Sequence, residues 1–246
     1  MKTSGPDFII IGFPKCGTTS LVENLSRHSK INMFYDVGNK ESVYYHTSHY
    51  YKMGKDFYND KIKPGMVNGE KNPTYIWNTF TLLNIKRRLP NVKVIISLRN
   101  PPDYLYSWYH QLYVNSKKCD CEKCKNNKKQ NKEENKMTFE KFIEIPQQIE
   151  KSYFINHIIK AIDIFGRKNI HFIVQEEYEQ DSQKELNKIF SFLGLKHENF
   201  SEITKFKGKR PNGLIDQKLR NNLVKKYETH NKNLFNILGR KIKIWK

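Results

Sequence analysis

The run Phe8 to His28, FIIIGFPKCGTTSLVENLSRH, constrains the fold more than any other stretch of the 246 residues. Phe8, Ile9, Ile10 and Ile11 form a short apolar run rich in β-branched residues, the signature of a strand covered on both faces in a parallel sheet. Gly12 and Gly17 then bracket a tight turn, and Thr18 to Leu25 resumes with apolar residues at helical spacing. Strand, glycine loop and helix in that order aim backbone N–H groups and the positive end of a helix at one point. That arrangement binds phosphate.

Gly12 and Gly17 have the glycine spacing of a Walker A loop, yet Thr18 stands where that loop carries lysine. Lys15 lies inside the loop instead. With Cys16, Gly17, Thr18, Thr19 and Ser20 it offers ammonium, N–H and hydroxyl donors for phosphate oxygens, without the grip on a β/γ-phosphate beside Mg²⁺.

Two more buried strands are predicted, Val92–Leu98 and Asn169–Gln175, and a short one at Met66–Asn68. Helices are predicted over Ile76–Leu89, from Pro101 onward with Asn100 as cap, over Ile149–Phe165, over Ser182–Leu193 ending at Gly194, and over Asp216–Leu238. Ser29–Tyr58 reads as loops and short helices, and Gly69–Tyr75 as a polar loop at a strand end, carrying Glu70 and Lys71 to the edge where α/β proteins bind ligands. The alternation implies an α/β fold with a mainly parallel central sheet flanked by helices, in one domain over 1–246.

The formal charge of +19 predicts an anionic partner or substrate. No nucleic-acid-binding signature accompanies it, so specific nucleic-acid binding is not expected. Residues 116–136 hold eight lysines against four carboxylates and almost nothing apolar, which predicts a Lys-rich surface insert. It supplies only about +4, so the remaining basicity belongs to the folded part. Cys119, Cys121 and Cys124 within it form CxCxxC, a weak zinc or disulfide signal without a fourth ligand. Met1–Asp7 leads straight into the first strand and no apolar run reaches membrane-spanning length, so a soluble, cytoplasmic protein is expected.

The pattern PKxGTT after a buried strand resembles the 5′-phosphosulfate loop of sulfotransferases, which use 3′-phosphoadenosine 5′-phosphosulfate (PAPS). LRNPPDYLYSWYHQ resembles their 3′-phosphate segment, in which a strand-ending arginine and a serine eight residues later hold the nucleotide, here Arg99 and Ser107. Arginine suits the task because its planar fork binds two oxygens and keeps its charge. Within that family the chain is most similar to the heparan sulfate glucosaminyl branch. KESVYYH looks like its glutamate segment, GEKNPTY like its EKxPxY segment and TKFKGK like its TKG loop, while FSFLGL and FNILGR also resemble it.

The resemblance implies a P-loop-like sulfotransferase fold and sulfuryl transfer from PAPS to a hydroxyl or amine of an anionic or polar acceptor, a glycan, leaving adenosine 3′,5′-bisphosphate. It casts Glu41 as general base, Lys15 and Lys71 as cations at the transferring group, and Lys207, Gly208 and Lys209 as a clamp on the nucleotide. No metal is required. His46 and His49 are rival bases, because small-molecule sulfotransferases use histidine. The chain departs from the animal enzymes in lacking the N-terminal membrane anchor and the cysteine pair around the TKG loop. Protein-tyrosine or small-molecule sulfation, a P-loop kinase or NTPase, and a non-catalytic polyanion-binding module are the alternatives.

Overall fold

The structure is a computed structural model and describes residues 5–34, 57–58, 60–114, 137–203 and 215–245. Glu41, His46, His49, the three clustered cysteines and Lys207 to Lys209 lie outside those residues, as does the whole 116–136 insert. The chain divides into two compact units, one formed by residues up to Arg99 with Ile155–Gly208, the other by Asn100–Phe154 with Lys209–Lys246.

The first unit is built on five parallel strands in the order β2-β3-β1-β4-β5. These are β1 (Phe8–Gly12), β2 (Ile31–Phe34), β3 (Val67–Lys71), β4 (Lys93–Leu98) and β5 (Ile170–Val174). Helix α1 (Thr18–Leu25) follows β1, α2 (Thr79–Arg88) follows β3, and α6 (Phe154–Phe165) leads toward β5. Helices α7 (Gln175–Gln180) and α8 (Ser182–Leu193) come after β5. Every residue of β1 is buried, as its β-branched sequence requires of a central strand with both faces covered. Phe8, Ile10, Ile95 and Ile173 pack from one face against Leu21, Val22 and Leu25 of α1 and Leu186, Ile189 and Phe190 of α8. Asn24 of α1 donates to the Tyr178 hydroxyl at 2.7 Å, and burial raises that phenol to about 12. In β3, Gly69 leaves room for Phe8 and Met33, since a Cβ there would fall 2.3 Å from the Phe8 ring.

Strand β3 also carries a buried carboxylate. Glu70 is fully buried, and the hydroxyls of Tyr58 and Tyr75 donate to it, the latter at 2.9 Å. Phe34, the last residue of β2, is the register partner of Glu70, and its ring lies 5.4 Å from that of Tyr58. Phe34, where the chain leaves β2, and Tyr58, just after it re-enters the described structure, thus both adjoin Glu70.

The second unit is helical. Helix α3 (Pro101–Tyr109) runs into a π turn (His110–Val114), and α4 (Phe139–Phe142), α5 (Pro146–Glu150) and α9 (Gln217–Leu238) complete it. Tyr106 and Tyr109 of α3 pack against Phe139 of α4, and Arg220 of α9 pairs with Asp103 of α3 at 3.3 Å. No helix among the described residues is long and apolar enough to cross a membrane.

Four sequence expectations need correction. The stretch Ser29–Tyr58 contains strand β2, whose four residues, INMF, are too few to show alternation. The expected loop from Gly69 is strand through Lys71, because Gly69, Glu70 and Lys71 pair in register with Phe8, Ile9 and Ile10 of β1, a partner distant in the chain. The expected helix Ile149–Phe165 breaks at 151–153, where the Ser152 hydroxyl meets the Ile149 carbonyl and the Tyr227 hydroxyl. Asn100 holds the N-cap position of α3, but its side chain makes no capping bond, and Pro101 and Pro102 start the helix.

Candidate active site

The loop from Phe13 to Gly17 is held from beneath by the end of β4. The Phe13 N–H donates to the Ser97 carbonyl at 2.8 Å, the Ser97 hydroxyl donates to the Cys16 carbonyl, and Arg99 Nη1 donates to the Lys15 carbonyl at 3.1 Å. Two consecutive loop carbonyls are therefore turned toward β4. Lys15 has a positive φ of 64° and Gly17 one of 78°, so the backbone reverses sharply before entering α1. A glycine at Gly17 makes that reversal without steric cost. The Cys16 N–H closes the turn onto the Phe13 carbonyl at 3.3 Å.

Gly17 is the N-cap residue of α1 and has no side chain to cap it, so no side-chain oxygen caps the first turn of α1. With no acidic residue in that turn, its positive end suits an anion. Thr18 and Ser20 are buried, Thr19 is exposed and Lys15 is half-buried. Lys71, the final residue of β3, is 1% exposed and holds its ammonium 3.5 Å from Thr19 Oγ1. Alternation along β3 sends Glu70 to its tyrosines on one face and Lys71 to the start of α1 on the other.

The structure thus gathers Lys15, Cys16, Gly17, Thr18, Thr19, Ser20, Lys71 and Arg99 around one helix N-terminus. Arg99 uses a single N–H on the loop carbonyl, and a guanidinium carries five. Ser107 is a half-buried residue of α3 in the second unit. Among the described residues no cluster of three or more His, Cys, Asp or Glu side chains could hold a metal ion.

Sequence reasoning passed over Ser97, whose one visible signal is a hydroxyl in the otherwise apolar end of VKVIISL. It also passed over His157 of α6, whose ring meets the Phe13 ring edge to face at 5.9 Å. Burial, helped by the Lys160 charge, lowers the His157 imidazole below its ordinary 6.5. The neutral ring is the form that folding favours, so its contribution is complete above pH 6.5 and is lost as pH falls through the depressed value. Urea midpoints at neutral pH and at about pH 5 are expected to differ less in His157→Leu than in the parent. Equal acid sensitivity in both would remove His157 from the account. Burial also pushes the Cys16 thiol well up, against the opposing charge of Arg99, so this cysteine is no thiolate nucleophile.

The chain is 25% identical over 209 residues to a bifunctional heparan sulfate N-deacetylase/N-sulfotransferase 1 of Caenorhabditis briggsae, covering 83% of this chain. It spans about a quarter, 24%, of that protein's length. A sulfotransferase from Alicyclobacillus acidocaldarius has a similar fold, with a TM-score of 0.69 at 20% identity over 98% of each chain. Mouse sulfotransferase SULT7A1, solved in complex with PAP, is similar at a TM-score of 0.51 and 20% identity, over 79% of this chain and 60% of that one. Residues 5–235 match the sulfotransferase domain, and the loop, the strand-ending Arg99 and the parallel sheet lie within that span: the chain belongs to the sulfotransferase domain family.

Proposed function

We propose that this protein transfers a sulfuryl group from PAPS to a hydroxyl or amine of a carbohydrate acceptor. The observation that carries the reading is the β1–α1 loop. Its carbonyls are tied back to β4, its helix N-terminus has no side-chain cap, Lys15 lies within it, and Lys71 holds its ammonium beside Thr19. A donor set of ammonium, hydroxyl and N–H groups fits the charged end of such a nucleotide. Membership of the family and the naming of a similar protein as a heparan sulfate N-sulfotransferase support the donor and the acceptor class.

Bound PAPS supplies an activated sulfuryl group on a phosphate leaving group. Lys15 and the N–H groups at the start of α1 bind the 5′ end and steady the charge that develops there, and Lys71 adds a second cation from β3. Arg99 and Ser107 take the 3′-phosphate, and Lys207, Gly208 and Lys209 close on the nucleotide. Glu41 accepts the proton of the acceptor hydroxyl or amine. Most of the rate enhancement then comes from alignment and electrostatics, as in phosphoryl transfer.

Calorimetry with nucleotides tests the donor site. Adenosine 3′,5′-bisphosphate is expected to bind at least about tenfold more tightly than AMP without Mg²⁺, reflecting charge-assisted hydrogen bonds to the 3′-phosphate. Equal affinity for AMP removes that role from Arg99 and Ser107. Mg²⁺-dependent ATP binding favours a kinase instead.

A further inference from the structure

Helix α9 and the turn after it enclose a groove of about 950 Å³ in the second unit. Leu223, Tyr227 and Leu234 are the buried residues of α9, and the groove lies along other positions. Lys225 and Lys232 are seven residues apart, two helical turns or about 10 Å, on one side of the helix. Gly239 then ends the helix with a φ of 70°, and Arg240 and Lys241 beyond it line the same groove. Four cations line it against one carboxylate, Glu228. Lys225, Lys232 and Lys241 are exposed, and none has an ion-pair partner among the described residues.

We infer that this groove binds an anionic polysaccharide chain. The inference rests on the reading that the acceptor is carbohydrate and assigns a surface for its length. Lys225 and Lys232, two turns apart, with Arg240 and Lys241 after the helix end, offer several cations to the charges of a sugar chain, and the amides of Asn231 and Asn236 suit hydroxyl groups. Phe235 and Trp245 also line the groove, with ring centroids 5.9 Å apart, and present apolar surface to a sugar ring. A lipid surface is a poorer match. The exposed large apolar side chains among the described residues are Phe80, Leu83 and Ile159, none of them here.

The test is charge reversal on the full chain. A Lys232→Glu, Lys241→Glu variant is compared with Lys168→Glu, Lys184→Glu, which changes net charge equally at exposed positions of the first unit. A heparin-derived octasaccharide is the probe, titrated at several salt concentrations. The groove variant is expected to bind it about tenfold more weakly with a shallower salt dependence, and the control pair to change little. Equal loss in both variants, or none in the groove variant, overturns the proposal. So does a larger loss of binding to anionic vesicles or to single-stranded DNA than to the octasaccharide. Affinity for adenosine 3′,5′-bisphosphate, measured alongside, should be the same in all three proteins. If the parent sulfates no carbohydrate yet its octasaccharide binding still depends on Lys232 and Lys241, the groove stands and the proposed acceptor falls.

Discussion

Glu41→Gln is expected to lower turnover by about 10² to 10⁴, the usual worth of a general base, while affinity for adenosine 3′,5′-bisphosphate stays within about twofold. Glutamine keeps the shape and one oxygen but cannot accept a proton from the acceptor. In the proposed site the donor is held by other elements, the β1–α1 loop and the end of β4, so nucleotide affinity is expected to be unchanged. Steady-state rates and calorimetry on the same preparation separate the two effects. Near-normal turnover in Glu41→Gln, together with its abolition in His46→Ala or His49→Ala, would transfer the role of base to a histidine.

Lys71→Met is expected to cost about 10² to 10³ in turnover, the size of loss seen when one preorganised charge-stabilising group is removed. Methionine fills nearly the same volume, and the site is 1% exposed, so packing is preserved. A buried ammonium is costly to desolvate, so the urea midpoint of Lys71→Met should match or exceed that of the parent. A variant as stable as the parent but nearly inactive distinguishes a charge acting on the reaction from one acting on the fold. Lys71→Arg should recover little, because the guanidinium fork is larger and differently shaped than the point charge beside Thr19. Turnover within a few-fold of the parent in Lys71→Met would remove Lys71 from the mechanism.

The features legible in the sequence are those set by local pattern. β1, β4 and β5 are apolar runs with β-branched residues, and α8 is bounded by Asp181, which accepts from the Lys184 N–H, and by Gly194. The glycine loop announces itself because its geometry needs Gly17 at a positive φ. What escaped depends on partners distant in the chain. The break at Ser152 depends on Tyr227, and the burial of Glu70 depends on Tyr58 and Tyr75. The arrest of the Lys15 and Cys16 carbonyls by Arg99 and Ser97 joins residues more than eighty positions apart. None of these pairings leaves a period or a motif to read.

The meeting of Phe34 and Tyr58 at Glu70 sets apart two portions of the fold. Phe34 and Tyr58 bracket the segment that holds Glu41; Phe34 pairs with Glu70 in strand register and Tyr58 donates to its carboxylate, one residue before Lys71. Because the two ends are fixed together, the closure entropy of the intervening chain rises only with the logarithm of its length, by about 0.6 kcal/mol for each doubling. A change in the length of that segment therefore adds little closure cost, while the strand that presents Lys71 to α1 stays in register. In the proposed enzyme, the length of the segment carrying Glu41 can thus vary apart from the β1–α1 loop and Lys71.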